Sequence, residues 1–350
     1  MHMETQKVIM EKIESAKNSG IHTVRITGSY EISETILIPS DFCLILEDCH
    51  LRMADGVKTQ MFRNAGYRPG GRNTPSDADK NIRIIGVGHT VLDGGNYNGL
   101  CEGNSEKDGN PHISANNTLL FCNVDHFVIE NITIVNQRWW ALNFLFCSNG
   151  TLRDLTFCAD DTWYDSEGNR HRKINWEWGR PYICNADGID LRVGCHDILI
   201  ENIKGFTEDD TIALTALDLR LEDLYHVEGA QREIYNISIR NVFASSLCTI
   251  VRLLNQGGTK LYNVLIDGVF DSSKDSPHLE RGIYAVRIGD VHLYGARHST
   301  EDETYNITVR NVYSRSRIAV NLAGRMKNVT TENICGFDGN QTLIEDLREN

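Results

Sequence analysis

Tyr235-Asn236-Ile237-Ser238-Ile239-Arg240-Asn241-Val242 decides the fold, because the phrase recurs. Tyr262-Asn263 leads into Val264-Leu265-Ile266-Asp267-Gly268-Val269. Tyr305-Asn306 leads into Ile307-Thr308-Val309-Arg310-Asn311-Val312, and Lys327-Asn328 into Val329-Thr330-Thr331-Glu332-Asn333-Ile334. Upstream copies follow Asp197, Asn149, Asn123 and Asn81. The anchors at 81, 123, 149, 197, 236, 263, 306 and 328 are spaced by 42, 26, 48, 39, 27, 43 and 22 residues. A repeat of this size marks a solenoid, in which the short intervals are one coil. The long intervals hold a second, degenerate repeat or an inserted loop. Within each copy the residues are β-branched and alternating, which is strand rather than helix. The second Asn or Gly falls where the chain must bend. Asn tolerates the left-handed backbone there, and its amide can stack on the Asn of the next coil. The expected fold is all-β, a right-handed parallel β-helix whose inward side chains pile into one apolar core.

Ahead of the repeats, Val8, Ile9, Ile13 and Ala16 have helical spacing, and Asn18-Ser19-Gly20 supplies a stop. A helix within residues 1–20 is therefore expected to cap the solenoid, whose open end would otherwise expose core and strand edges. Residues 1–350 are expected to form one β-helix domain. Residues 160–181 interrupt the repeat as an inserted, aromatic-rich loop near the cleft.

Composition narrows the function. The chain has 350 residues, with 35 Lys and Arg against 48 Asp and Glu, a formal charge of −13. That acidity, with no long basic run, argues against nucleic acid as a partner. At 41 % hydrophobic and 24 % charged residues, the chain reads as globular rather than disordered. No stretch approaches about 18 uncharged apolar residues, so no membrane span is expected. The start, Met1-His2-Met3-Glu4-Thr5-Gln6-Lys7, lacks the basic-then-apolar form of a secretory signal, so the expectation is a cytoplasmic location, or secretion with the signal already removed. The ten cysteines show no C-x-x-C spacing and mostly have apolar neighbours, as expected of buried free thiols. Neither a metal nor a cofactor is expected.

Four stretches carry a resemblance. Gly86-Val87-Gly88-His89-Thr90-Val91-Leu92-Asp93-Gly94-Gly95 is similar to a "G-x-G-x-I-D-G-x-G" coil, and Asn136-Gln137-Arg138-Trp139-Trp140-Ala141-Leu142 to "N-S-P-x-W-x-L". Asn185-Ala186-Asp187-Gly188-Ile189-Asp190 is similar to "N-T-D-G-x-D", and Glu208-Asp209-Asp210-Thr211-Ile212-Ala213-Leu214 to "G-D-D-C-I-A-I". On these, the chain from about Asn81 to Asn255 resembles the polygalacturonase family, glycoside hydrolase family 28, of the pectin-lyase-like β-helix superfamily. The resemblance implies a glycosidase. It implies sugar contacts from Asn185, from Arg252 in Val251-Arg252-Leu253-Leu254 (the family's "R-I-K"), and from His226, an imperfect match to "G-H-G". Leu254 stands where the family has Lys. Trp140 matches the family Trp, and Asn143 shares its coil, so both are candidates for substrate contact.

Glycoside hydrolysis needs one protonated carboxyl for the leaving oxygen and a carboxylate that activates water or attacks. Asp187 and Asp209 are 22 residues apart, one coil. Stacked coils lie about 4.8 Å apart, so Asp187 and the Asp209-Asp210 pair should sit side by side. Neighbouring strand residues point to opposite faces, so Asp209 and Asp210 can share one only if the chain bends there. Three clustered carboxylates cannot all ionise cheaply, which favours one as an acid. The expected function is inverting, exo-acting hydrolysis of an oligosaccharide. Asp209 would be the general acid, with Asp187 and Asp210 holding and activating water. In the inserted loop, Trp176 and Trp178 offer faces for sugar rings, and Arg180 a polar contact.

Two rivals share the scaffold: a calcium-dependent polysaccharide lyase with Arg252 abstracting the proton, and a non-catalytic carbohydrate-binding β-helix. A lone Arg252 without its basic partner also favours a neutral or partly neutral substrate over a uronate polymer.

Overall fold

The computed structural model describes residues 4–95, 117–137, 140–159, 162–164, 170–172, 187–217, 224–272, 282–337 and 341–349. Two long sheets carry the chain. One takes, in spatial order, Glu4–Thr5, Thr23–Ile32, Phe42–Met53, Asp79–Val87, Val124–Val135, Ser148–Cys158, His196–Thr207, Ile234–Ser246, Leu261–Asp271, Thr304–Ser314 and Lys327–Gly336, with the short Val91–Asp93 beside them. The other takes Ile36–Ile38, Phe62–Asn64, Leu119–Cys122, Trp140–Leu145, Asp187–Leu191, Ile212–Ala216, Thr249–Asn255, Tyr284–Ile288, Ile318–Gly324 and Thr342–Arg348. Spatial order follows chain order, and the neighbours pair in parallel, as in a β-helix.

The long repeat intervals resolve into insertions. Asp79–Val87 pairs directly with Val124–Val135, Ser148–Cys158 with His196–Thr207, and Leu261–Asp271 with Thr304–Ser314. Each interval is therefore one coil, and no degenerate repeat is hidden in it.

The Asn corners work by a phase shift. In Val124–Val135 the buried residues are Val124, Phe127 and Ile129, then Ile132 and Ile134, with a step of three across Asn131. Asn131 has φ +57°, and Asn202, Asn241, Asn311 and Asn333 repeat that conformation. A left-handed residue turns the strand and resets its alternation, so both halves keep their apolar side chains inside. The corner amides also form ladders. Asn236 donates to Asp197 at 2.9 Å, Asn263 to Asn236 at 3.1 Å, Asn306 to Asn263 at 3.2 Å and Asn328 to Asn306 at 3.1 Å.

The helix spans Gln6–Asn18 and buries Ile9, Ile13 and Ala16, while Val8 is only partly covered. It packs on Thr23–Ile32 and Ile36–Ile38, closing the first coil as a cap. Gly20, at φ +68°, takes the chain out of it. One apolar cluster runs from Ile9 through the coils to Leu322. The described cysteines are free; burial pushes the Cys49 and Cys195 thiols up to about 12. Among the described residues no helix is long and apolar enough to cross a membrane.

Candidate active site

The second sheet sets out one row of side chains across its outer face. Asn143 is in register with Asp190, Asp190 with Ala213, Ala213 with Arg252, Arg252 with Arg287, and Arg287 with Asn321. Their strand neighbours Leu142, Ile189, Ile212, Val251, Val286 and Val320 point into the core, so alternation sends this row outward. Several of its polar atoms are buried without a hydrogen-bond partner among the described residues. They are both amide atoms of Asn143, Oδ2 of Asp190, Nε of Arg287 and Oδ1 of Asn321. Buried polar atoms are nearly always paired, so a concentration of unpaired ones on one row marks it as the candidate site.

The carboxyl cluster lies at the edge of that row. Asp187 opens the strand Asp187–Leu191, while Asp209 and Asp210 lie in the bend between His196–Thr207 and Ile212–Ala216. The bend puts both side chains on one side, with a carboxylate oxygen of each within 4.8 Å of the other and of the Cys248 sulfur. It is tightly tied. The Thr207 hydroxyl donates to the Asp209 carbonyl at 2.9 Å, and the Ser246 hydroxyl to the same oxygen at 2.5 Å. The Asp210 N–H donates to Oδ1 of Asp187 at 3.2 Å, linking the two coils.

Asp187-Gly188 is a strand start rather than an exposed turn. The Gly188 N–H donates to the Asp210 carbonyl at 3.0 Å, and a Cβ on Gly188 would meet the Thr211 carbonyl oxygen at 2.4 Å. Glycine is needed there for the close approach of the two coils.

Electrostatics divides the row. Asp190 is 1 % exposed. Burial pushes its carboxyl well up, as do the nearby Asp210 and Asp209, against the pull of Arg192. Arg192 in turn lies over the Trp140 ring at 4.6 Å. Burial also raises the Cys248 thiol, with Asp209 and Asp210 adding to it, so it stays neutral. Arg252 binds Asp290 at 2.5 Å and the Gly289 carbonyl at 3.3 Å. Burial opposes its charge, but Asp210 and Asp290 overcome that and hold its guanidinium charged. Such a group is a poor proton abstractor, which counts against the lyase reading. Arg287 reaches the same Asp290 oxygen at 2.7 Å and lies over Tyr284 at 4.6 Å. Burial pushes Asp290 up, but the His292 N–H and the two guanidiniums more than offset it and hold the carboxyl below its usual range. Asp209, Asp210 and Cys248 offer three ligand atoms, one on a protonated thiol, where calcium wants about six to eight oxygens.

The expected residues thus fall into three groups. Asp187, Asp209 and Asp210 come together. Asn143 and Arg252 join the same row, and Trp140, in register with Asp187, flanks it beneath Arg192. His226 is exposed between the buried Tyr225 and Val227, after the strand Ile212–Ala216, with its ring edge-on to Phe146 at 6.4 Å and its carbonyl accepting from Tyr67. Asn185, Trp176, Trp178 and Arg180 lie outside the described residues. Sequence reasoning missed Arg287 and Asp290. A signal existed: Ala285-Val286-Arg287-Ile288 repeats Ile250-Val251-Arg252-Leu253 one coil later.

Known proteins agree with this architecture. The profile of the glycosyl hydrolases family 28 matches residues 29–230, more than half of the chain. No curated protein matches in sequence. Among solved structures, a 1,3-alpha-1,4-beta-D-galactose-4-sulfate-3,6-anhydro-D-galactose-2-sulfate 4 galactohydrolase aligns with TM-score 0.59 and 13 % identity, covering 98 % of this chain and 85 % of its own. The polygalacturonase of Erwinia carotovora aligns with TM-score 0.53 and 16 % identity, covering 99 % and 94 %. An exopolygalacturonase from Thermotoga maritima aligns with TM-score 0.52 and 14 % identity, covering 98 % and 86 %.

Proposed function

The chain belongs to the glycosyl hydrolases family 28, a glycosidase family acting on carbohydrate, and from that premise we propose that it hydrolyses an oligosaccharide by an inverting two-carboxylate mechanism, working from a chain end. The observation that carries the mechanism is the Asp210 N–H on Asp187, which holds carboxyls from successive coils at one point beside the polar row. Arg252 gives Asp210 a positive neighbour, whereas the neutral Cys248 thiol, near both carboxyls, makes its hydrogen bond to Asp209. That asymmetry supports Asp209 as the general acid and Asp187 with Asp210 as the groups that hold and activate water. Protonation of the glycosidic oxygen by Asp209 would accompany attack by the water on the opposite face of the sugar.

Arg252 is not alone, so the ground for expecting a neutral substrate falls away. Arg287 stands where the partner was missing along the chain, one coil on rather than two residues on. Two adjacent guanidiniums in the row suit a sugar bearing a carboxylate or sulfate. The exposed Tyr294 ring, close enough to feel both guanidiniums, adds an aromatic face there.

The test is an incubation of the protein with acidic and neutral oligosaccharides, followed by proton NMR of the fresh product. Inversion at the anomeric carbon, a new reducing end and release of single terminal units are expected. A retained anomer would overturn the inverting mechanism, mid-chain products would overturn exo-action, and an unsaturated product would restore the lyase.

A further inference from the structure

Asp190 is the carboxyl for which the proposed mechanism has no use, and its surroundings say what it does. Its side chain meets that of Asp187, a contact that draws the Asp190 carboxyl down but is outweighed by burial and by Asp210 and Asp209. Ionised carboxylates only accept, so two of them in hydrogen-bond contact must share a proton. The partners decide where the proton sits. Asp187 already receives a backbone donor on Oδ1, from Asp210. Asp190 is the more buried of the two, and its Oδ2 has no partner among the described residues. On one side its row neighbour is Asn143, fully buried; on the other it is Ala213, which offers nothing. Among the described residues, the charged groups acting on it are Asp187 at the start of its strand, Arg192 just past the strand's end, and Asp209 and Asp210 from the next coil. The adjacent strand Trp140–Leu145 brings no titratable group. A carboxylate at this place would face three other carboxyls with one guanidinium in return.

We propose that Asp190 is held protonated and donates its hydrogen bond to Asp187, making it a positioning residue that keeps Asp187 ionised and aimed as the water-activating base. The inference rests on the hydrolase reading above and deepens it. Two donors, the Asp190 O–H and the Asp210 N–H, then stabilise one anion.

An amide donates the same hydrogen bond but cannot ionise, and this makes the proposal testable. Asp190→Ala is expected to lower kcat by about 10-fold to 100-fold, the scale of losing a hydrogen bond to a charged group. With one donor gone, the Asp187 carboxylate becomes easier to protonate, so the acid limb of the pH–kcat profile moves to higher pH. Asp190→Asn is expected to restore most of the lost turnover and return the limb toward its original position. Infrared difference spectra of the folded protein at neutral pH should show a protonated-carboxyl band in wild type that is missing from Asp190→Asn. The proposal is overturned if Asp190→Asn is folded yet as impaired as Asp190→Ala, if Asp190→Ala leaves rate and limb unmoved, or if wild type shows no such band. The wild-type band needs neither activity nor a variant, so its absence overturns the proposal even where a variant does not fold. Failure of the underlying mechanism has a different signature: Asp187→Asn retaining turnover, whatever the Asp190 variants do.

Discussion

Arg252 and Arg287 are register partners on adjacent parallel strands, and their guanidiniums converge on one oxygen of Asp290, at 2.5 and 2.7 Å. Like charges side by side on neighbouring strands repel unless a counter-charge lies between them. Asp290 supplies it from the turn just after the strand Tyr284–Ile288, with a fully buried side chain. Asp210 faces Arg252 from the carboxyl cluster, while the Arg287 side chain, 14 % exposed against 7 % for Arg252, is the more accessible of the two.

Arg287→Gln should therefore change specificity. We expect kcat/KM for a uronate- or sulfate-bearing oligosaccharide to fall by about 10-fold to 100-fold, mostly through KM, because a charge-assisted hydrogen bond is lost. A neutral oligosaccharide of equal length should be handled nearly as before. Side-by-side kinetics on the two substrates decide the matter; an equal fall on both would mean that Arg287 only supports the fold.

Asp209→Asn preserves shape and removes the proton donor. Turnover should drop by at least about 100-fold, the usual scale of general acid catalysis, with thermal stability nearly unchanged. Near-normal turnover in this variant would reassign the acid.

Gly188→Ala tests whether the closeness of two coils makes the site. The added methyl would lie 2.4 Å from the Thr211 carbonyl oxygen, and 3.3 Å from the Phe157 ring. Relief requires backbone movement, at a cost of about 1–3 kcal/mol typical of overpacking. The same movement shifts Asp187 from the Asp210 N–H. Thermal unfolding and kcat should fall together. A variant with wild-type values of both would show that the coils can part without consequence.

Glu303 gives the fold a pH dependence away from the active site. Its pairing with Arg297 is the chief cause that lowers its carboxyl from 4.5 to about 2, helped by the Thr300 N–H and opposed by burial. A depressed folded-state pKa contributes stability that is complete above the unfolded value and is lost as pH falls from 4.5 toward 2. Urea unfolding at about pH 6 and about pH 3 should show a smaller loss in Glu303→Gln than in wild type. Equal losses would mean that the pair adds nothing to stability.

By itself the sequence determined the fold, because a β-helix is built from local rules repeated: alternation makes each strand, and an Asn at each corner turns it. Asn236, Asn263, Asn306 and Asn328 could be read as corners before any coil was paired, and Asp187 and Asp209 as neighbours once the coil length was known. Two things were beyond it. Insertions and degenerate repeats give the same interval, and only the direct pairing of Ser148–Cys158 with His196–Thr207 separates them. Side-chain chemistry also runs across the coils rather than along the chain. Arg252 looks isolated next to Leu254, yet its basic partner is Arg287, 35 residues on and one strand away. Asp190 looks like one more acid in a motif, until its contact with Asp187 requires a shared proton. In a solenoid the chain sets what each rung is, while stacking decides which side chains meet, and charge and proton sharing depend on that meeting.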